Sequence, residues 1–235
     1  MLKVSRKRLS DQIYGIIKEM IAAHRFQPGS RVNIEQITKE VGASRTPVWE
    51  AVHRLMQEGL LVNIPNRGVF MASLTPSMAL ELYTVREALE GLAARLSVQN
   101  ITDQAIVDMA KCFAAQHEVV QKADLVGYSK LDFTFHSLVY ESCGNRILQE
   151  MLESIKNKMR PVSLHITPIL STLYEDHRKI LEAFKARSAD LAEEAFRSHN
   201  RHMIDEINKH LEGNLWKGVN GLAEDNTIEK QGVAT

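Results

Sequence analysis

The stretch that decides the fold runs from residue 28 to residue 70 and reads PGSRVNIEQITKEVGASRTPVWEAVHRLMQEGLLVNIPNRGVF. Asn33 followed by Gln36 is typical of a capping box, in which side chains at a helix start bond to free backbone N–H groups. Gly42 suits the left-handed conformation that ends a helix, and Ser44 suits the cap of the next one. The pattern therefore predicts two short helices joined by a tight turn.

A β-hairpin is predicted directly after these helices. Apolar runs at 60–62 and 69–71 bracket the turn sequence PNRG at 65–68, in which Arg67 forms a basic tip. Upstream, isoleucines at helical spacing predict a first amphipathic helix over about residues 9–25, with its cap near Ser10. Three helices followed by such a wing are the layout of a winged helix-turn-helix, which lays one helix in the major groove of double-stranded DNA.

The third of these helices separates a core face from a face that reads DNA. Its apolar stripe consists of Val48, Ala51, Val52 and Leu55. At about 100° per residue, Thr46 and Trp49 point away from that stripe, and Arg45 lies at the edge of their face near the helix N-terminus. An Arg reads guanine or holds phosphate, and a helix N-terminus favours an anion. The predicted DNA-binding residues are Ser44, Arg45, Thr46, Trp49, Arg67 and Gly68. The alternative is that helices and hairpin form only a small packing module.

Charge is distributed unevenly, although the formal net charge of the 235 residues is zero. Residues 1–75 contain 11 Lys or Arg against 6 Asp or Glu, whereas residues 76–235 contain 18 against 23. We call residues 1–75 the head and residues 76–235 the body. The basic head favours contact with phosphate groups. Cys112 and Cys143 are the only cysteines, and no segment resembles a leader or a membrane span. We therefore predict a cytoplasmic protein without a membrane partner.

Beyond residue 75 the sequence predicts helices with little strand signal. We expect six of them, at about 76–99, 102–122, 124–142, 145–160, 168–187 and 189–212. The predicted fold class is mostly α, with an antiparallel helical bundle as the natural packing. The predicted domains are a winged helix-turn-helix domain over 1–73, a helical metal-binding, effector-binding and dimerisation domain over 76–212, and a disordered polar tail over 213–235.

Four residues of the predicted bundle carry ligand chemistry. Asp132 and His136 lie four positions apart, which places a carboxylate and an imidazole on one helix face. His177 and His199 come from the last two predicted helices and are free to converge with them. One carboxylate and three imidazoles suit Zn²⁺, Ni²⁺, Mn²⁺ or Fe²⁺. The alternative is that these are ordinary helix residues, since spacing alone does not distinguish the two.

The head also resembles a known family. The combination GASRTPV…A…RL…EGL…NRG is similar to the winged-helix head of GntR-type bacterial transcription regulators, and the similarity covers the whole head. One position departs from that family, which usually has Arg after Thr-Pro-Val, where this chain has Trp49. A Trp stacks on sugar or a thymine methyl but does not fork to guanine, so the resemblance implies an altered operator preference.

The body resembles the FCD ligand-binding domain of the FadR branch of that family. The segments VREALEGLAARL, DFTFHSLVYESCGN, EDHRKILEAFKARSADLA and HNRHM carry the resemblance, and six helices match the shorter, VanR-like variant. The resemblance implies a divalent metal on Asp132, His136, His177 and His199, and a small organic or sugar acid as effector. It further implies a homodimeric regulator, in most cases a repressor, which is not an enzyme and binds operator DNA.

Three questions stay open at the level of sequence. Arg86 is a candidate clamp for the effector carboxylate, but it is equally suited to a salt bridge with Glu90 four positions later. A metalloenzyme using the same four residues is an alternative function. A regulator that senses the metal alone is another.

Overall fold

The computed structural model describes residues 8–159 and 169–212. The head contains α1 (Leu9–Ala22), α2 (Ile34–Glu40) and α3 (Arg45–Gln57), followed by the strands β1 (Leu61–Ile64) and β2 (Gly68–Met71). The body contains α4 (Pro76–Asn100), α5 (Asp103–Gln121), α6 (Leu125–Ser142), α7 (Arg146–Met159), α8 (Leu170–Lys185) and α9 (Ala189–Glu212). The predicted tail over 213–235 lies outside the described residues. The mostly α fold class is confirmed.

Local signals in the head match the structure closely, with two exceptions. The Asn33 side chain accepts a 3.0 Å hydrogen bond from the Gln36 backbone N–H, and Gly42 has a φ of 63°. Ser44 occupies the N-cap position of α3, but its hydroxyl makes no capping hydrogen bond. Ser10 is also no cap, because α1 begins after Arg8 and Ser10 is buried.

The first helix is shorter than predicted. It ends at Ala22, and His24 adopts a φ of 52°, a left-handed conformation that breaks the helical path before residue 25. The isoleucine spacing that predicted the helix is correct nevertheless, because Ile13, Ile17 and Ile21 all face the core of the head.

The apolar side of α3 is anchored in the core of the head. Val48, Val52 and Leu55 are completely buried and pack with α1 and the strands. The strands β1 and β2 pair antiparallel, in a register that sets Leu61 opposite Met71. Because the apolar stripe of α3 is anchored in this way, the opposite side of the helix stays at the surface.

The body is a helical bundle in which α4 lies at the centre. It packs most extensively against α9 and also contacts α6 and α7, while α8 contacts α5 and α9. The bundle core includes the fully buried rings of Phe135, Tyr140, Phe184 and Phe196. One side of α4 packs against these helices, so polar residues on that side lie in the interior.

Two charged residues of α4 are buried as a result. Arg86 is 5% exposed and Glu90 is fully buried. Charged side chains are rarely enclosed unless they are paired. Their burial therefore indicates that this part of the bundle interior contains paired polar groups.

Within the described ranges, no helix combines the length and the apolar character that crossing a bilayer requires.

Candidate metal centre and nucleic-acid interface

The bundle brings the four predicted metal ligands together. Asp132 and His136 lie one turn apart on α6, His177 lies on α8 and His199 on α9. Each offers a ligand atom, and these atoms all lie within 4.8 Å of one another. The three imidazoles are buried, and the Asp132 side chain is 19% exposed.

The distances among these atoms fit a shared cation. Asp132 Oδ1 lies 3.5 Å from His136 Nε2 and 3.5 Å from His177 Nε2, and the two Nε2 atoms lie 3.3 Å apart. Donors held by one ion at about 2.1 Å lie roughly 3.0–3.5 Å apart in tetrahedral or adjacent octahedral positions. Imidazole and carboxylate suit Zn²⁺, Ni²⁺, Mn²⁺ and Fe²⁺. The donor set therefore fits a divalent transition metal.

A buried carboxylate orients His136. His136 Nδ1 lies 2.7 Å from Glu90 Oε1, so the ring donates its Nδ1 proton to Glu90 and directs Nε2 toward the cluster. Glu90 also accepts hydrogen bonds from the Tyr140 hydroxyl and, at 2.6 Å, from the Asn200 amide. These contacts hold the imidazole in the orientation and tautomer that metal binding needs.

Arg86 makes the salt bridge that was one of its two predicted roles. Its Nη2 lies 2.9 Å from Glu90 Oε1, and both side chains are nearly or fully buried. Arg86 also lines a cavity beside the cluster, and its Nε has no hydrogen-bond partner. The ion pair does not remove Arg86 from the cavity wall, so the two roles are compatible.

An amide orients His177 in the same way. His177 Nδ1 lies 2.8 Å from Gln116 Oε1 of α5 and donates its proton there, which leaves Nε2 to face the cluster. The imidazole also stacks on Phe135, with ring centroids 4.5 Å apart. An apolar ring and one hydrogen bond thus fix the plane of this imidazole.

His199 is the least constrained of the three imidazoles. Its Nδ1 is buried without a hydrogen-bond partner and lies 3.6 Å from Asp176 Oδ2. One turn later, His202 Nδ1 lies 2.6 Å from the same Asp176 oxygen, within hydrogen-bond distance. His202 therefore pairs with Asp176 and is not part of the four-residue cluster.

The electrostatics favour ligands ready for a cation. Burial and the neighbouring His199 hold the pKa of His177 well below its usual value, and burial lowers the pKa of His199. Burial opposes charge on His136 as well, but Glu90 and Asp132 raise its pKa overall. Neutral imidazoles bind metals, and the two carboxylates favour positive charge among them.

A cavity of about 40 Å³ adjoins the cluster. This volume accommodates one or a few water molecules. The residues that line it are Tyr83, Arg86, Tyr128, Ser129, Asp132, Phe133, Lys156, Met159, Leu173, His199 and Met203. Asp132 and His199 face both the cluster and this cavity, so a molecule in the cavity lies next to the metal position.

The predicted DNA-reading face of α3 lies at the surface. Arg45 and Thr46 are exposed at the N-terminal end, and Trp49 is 38% exposed. Arg45 pairs with Glu35 at 3.0 Å, and both side chains are at least three-quarters exposed. An ion pair this exposed contributes little stability. It is readily exchanged for contacts to a phosphate or a base.

The wing tip presents two basic residues. Asn66 and Gly68 adopt φ values of 61° and 100°, which turns the chain so that Arg67 is exposed between them. Arg31 lies beside the tip, where a Cβ on Gly68 would be 3.4 Å from its guanidinium Nε. Arg31 was absent from the predicted DNA-binding residues, because its pairing with Phe70 of β2 is a long-range contact.

Sequence reasoning also missed most of the layer around the imidazoles. Glu90 had a local signal, its four-residue spacing from Arg86. Gln116 and Asn200 had none, because their partners lie on other helices. A polar residue on an apolar helix face was the only available clue.

Comparisons with known proteins agree with this architecture. The GntR family of bacterial regulatory proteins matches residues 9–71, and the FCD domain matches residues 81–202. The Nta operon transcriptional regulator of Aminobacter aminovorans is 31% identical over 173 residues, covering 67% of this chain and 81% of that protein.

Two further proteins are similar to this chain over most of its length. The transcriptional repressor RspR of Escherichia coli K12 is 24% identical over 85% of this chain and 89% of its own length. The solved structure of McbR/YncC from Escherichia coli matches with a TM-score of 0.77 at 22% identity, over 89% of this chain and all of that chain. A winged-helix head and an FCD body in the same order show that this chain belongs to the GntR family of bacterial transcription regulators, in the FadR branch that carries an FCD domain.

Proposed function

We propose that this chain is a homodimeric, metabolite-responsive repressor whose operator affinity changes when a small organic or sugar acid binds at a divalent-metal site in the bundle. One observation carries the proposal: four ligand atoms converge within 4.8 Å beside a cavity, in a chain that also has a DNA-binding head. The family and the named relatives regulate transcription, which favours regulation over catalysis by this site.

The metal is held by Asp132, His136, His177 and His199 in this proposal. A divalent ion with open coordination positions supplies a Lewis-acidic anchor for a carboxylate. The surrounding residues have two further roles: Glu90 and Gln116 orient two imidazoles, and Arg86 lines the cavity beside the cluster. A carboxylate effector gains a charge-assisted hydrogen bond from Arg86.

Operator DNA is bound by the N-terminal end of α3 and by the wing. Ser44, Arg45 and Thr46 present a free hydroxyl, a guanidinium and unpaired backbone N–H groups to phosphate or base edges. Arg67 and Gly68 form the wing tip, which suits the adjacent minor groove. Trp49 lies on the same exposed side and adds a stacking surface.

The homodimer is supported by the surface of the bundle and by the needs of operator recognition. Met78, Val85 and Leu92 are exposed on α4 at seven-residue intervals, which places them in one apolar stripe along the helix. Two copies that bury such stripes around a two-fold axis present two heads to a pseudo-palindromic operator.

Regulation requires that the effector prefers one arrangement of the heads. A hundredfold change in operator affinity corresponds to about 2.7 kcal/mol of coupling between the two sites. We expect the acid to lower operator affinity, so that its presence relieves repression.

A DNA-binding titration tests the proposal. The full chain is stripped with a chelator, reloaded with Zn²⁺, Ni²⁺ or Mn²⁺, and titrated onto the promoter fragment of its own gene while small carboxylates are screened. At least one acid is expected to weaken binding by about tenfold or more, and only when metal is present. If metal alone changes operator affinity and no acid does, the chain is a metal sensor. If metal-loaded protein turns over organic acids or esters, it is an enzyme.

A further inference from the structure

Two buried tyrosines of α6 differ in how their hydroxyl groups are bonded. Tyr140 is completely buried, and its hydroxyl donates a hydrogen bond to Glu90. Tyr128 is 1% exposed, and its hydroxyl has no hydrogen-bond partner among the residues that the structure describes. Buried polar groups are nearly always paired, because an unpaired one has lost its water without compensation. The Tyr128 hydroxyl is therefore a candidate for bonding to a bound molecule.

Tyr128 belongs to the wall of the cavity beside the metal cluster. It precedes Asp132 by one turn of α6, so the two residues share a side of that helix, and both line the cavity. The Tyr128 ring also stacks on the imidazole of His177, with centroids 6.1 Å apart and planes at 7°. An acid group bound at the metal position therefore has Tyr128 as a neighbour.

The phenol of Tyr128 is a neutral hydrogen-bonding group. Burial, and after it the charge of Asp132, raises the pKa of Tyr128 well above its usual value, so the hydroxyl keeps its proton at neutral pH. Because Asp132 already places a negative charge near this phenol, a neutral oxygen suits it better than a further carboxylate. An alcohol hydroxyl is such a partner, since it both accepts and donates.

The size of the cavity limits what accompanies that hydroxyl. Its volume of about 40 Å³ holds roughly three water-sized groups, which leaves space for few atoms besides the carboxylate. Met159, Leu173 and Met203 supply apolar parts of the lining. Extra hydroxyl groups packed against such side chains lose their water without gaining a partner. The cavity therefore suits a short acid with one hydroxyl group better than a long acid with several.

We propose that the Tyr128 hydroxyl binds a hydroxyl group of the effector, which makes the site selective for short hydroxy acids over the same acids without that group. This inference rests on the proposed metal-dependent acid site and names the class of acid that it takes. A site that pairs a buried polar group with a ligand hydroxyl discriminates against an analogue that lacks the hydroxyl, because the buried group then stays unpaired. The position of Tyr128 beside Asp132 and His177 places the hydroxyl close to the carboxylate in the bound acid.

Calorimetric titration of the Zn²⁺-loaded full chain tests this with matched acids. Glycolate is compared with acetate, lactate with propionate, and 3-hydroxybutyrate with butyrate. At least one hydroxy acid is expected to bind about 10–100-fold more tightly than its parent acid. Tyr128→Phe deletes one oxygen and keeps a ring against His177. It is expected to reduce that ratio by about tenfold or more, while the affinity for the parent acid stays within about twofold.

A control variant and a second measurement make the result specific to this hydroxyl. Tyr174 of α8 stacks on Phe113, with ring centroids 4.5 Å apart, and is not one of the described residues that line the cavity. Tyr174→Phe is therefore expected to leave both affinities unchanged.

The second measurement is denaturant unfolding of the metal-free protein without ligand. Because the Tyr128 hydroxyl has no partner within the described part of the chain, Tyr128→Phe is expected not to lower the unfolding midpoint. A lower midpoint would show that the hydroxyl is bonded within the protein, and would overturn the inference.

The outcomes separate this inference from the proposed function. If acids bind in a metal-dependent way but no hydroxy acid is preferred, or if the full preference survives Tyr128→Phe, the role of Tyr128 is wrong and the acid site stands. If neither class of acid binds to the metal-loaded protein, the acid site fails and the inference fails with it.

Discussion

The head and the bundle both carry polar side chains proposed to bind ligands, but the head exposes these side chains and the bundle buries them. In the head, Arg45 and Arg67 lie at the surface, and the exposed partner of Arg45 is easily exchanged. In the bundle, Glu90, His136 and His177 are fully buried, and each is hydrogen-bonded to residues of other helices. Removal of a functional side chain is therefore expected to change the unfolding free energy little in the head and much more in the bundle.

This difference follows from solvation. A surface charge remains hydrated whether or not it binds its target, so its removal changes binding and leaves stability nearly unaltered. A buried charge has lost its water and depends on its partners, so its removal leaves those partners uncompensated. Four substitutions test this contrast, in descending order of expected effect.

The largest effect is expected at Glu90. Glu90→Gln leaves Arg86 and His136 without their buried counter-charge, and we expect the bundle to lose about 3–5 kcal/mol of unfolding free energy. Denaturant unfolding of metal-free protein, followed by circular dichroism, measures this loss.

Glu118→Gln is the matched control, since Glu118 pairs with Lys122 where both side chains are more than 70% exposed. It is expected to cost nothing measurable. Equal unfolding free energies for the two variants would contradict the contrast between exposed and buried polar groups.

The next effect is expected at His177. His177→Ala removes a metal ligand and is expected to lower metal affinity by more than the roughly 10–100-fold that an outer hydrogen bond is worth. Metal content after dialysis, measured by mass spectrometry, reports the change. His117→Ala, an exposed position of α5, is the control and keeps its metal. Stoichiometric metal in His177→Ala would remove this residue from the ligand set.

A smaller effect is expected at Gln116. Gln116→Ala keeps all four ligands but frees the His177 ring, and should weaken metal binding by about 10–100-fold in a chelator competition. Gln104→Ala is a control on the same helix, because Gln104 contacts only the surface residue Asp108 among the bonds described. Unchanged affinity in Gln116→Ala would show that packing against Phe135 alone orients the imidazole.

The smallest effect is expected in the head. Arg45→Ala is expected to weaken operator binding by about tenfold, within the 1–3 kcal/mol typical of one base contact, and to leave the unfolding free energy unchanged. Fluorescence anisotropy against operator and unrelated DNA separates loss of specificity from loss of general affinity. Arg178→Ala on α8, which pairs with Glu175 and Glu182, is the control. Undiminished operator affinity in Arg45→Ala would remove this residue from the reading face.

Much of the architecture followed from local patterns. The cap formed by Asn33 and Gln36 and the turn at Gly42 both involve residues within a few positions of one another. Such signals need no knowledge of the remaining chain, so the three head helices, the wing and the six helices of the bundle were all predicted from sequence. The four residues proposed as metal ligands were also predicted from sequence, by family resemblance more than by spacing.

Other features depended on packing between distant segments. Glu90 meets Asn200 across 110 positions, Gln116 meets His177 across 61, and Lys156 meets Ser137 across 19. No local rule predicts such encounters, since a helix presents the same polar residue to solvent or to a neighbour with equal propensity. Local hydrogen-bonding chemistry determined where each helix begins and ends. Only the packed bundle decided which polar groups lose their water, and hence which ones orient the imidazoles and which cations face the cavity.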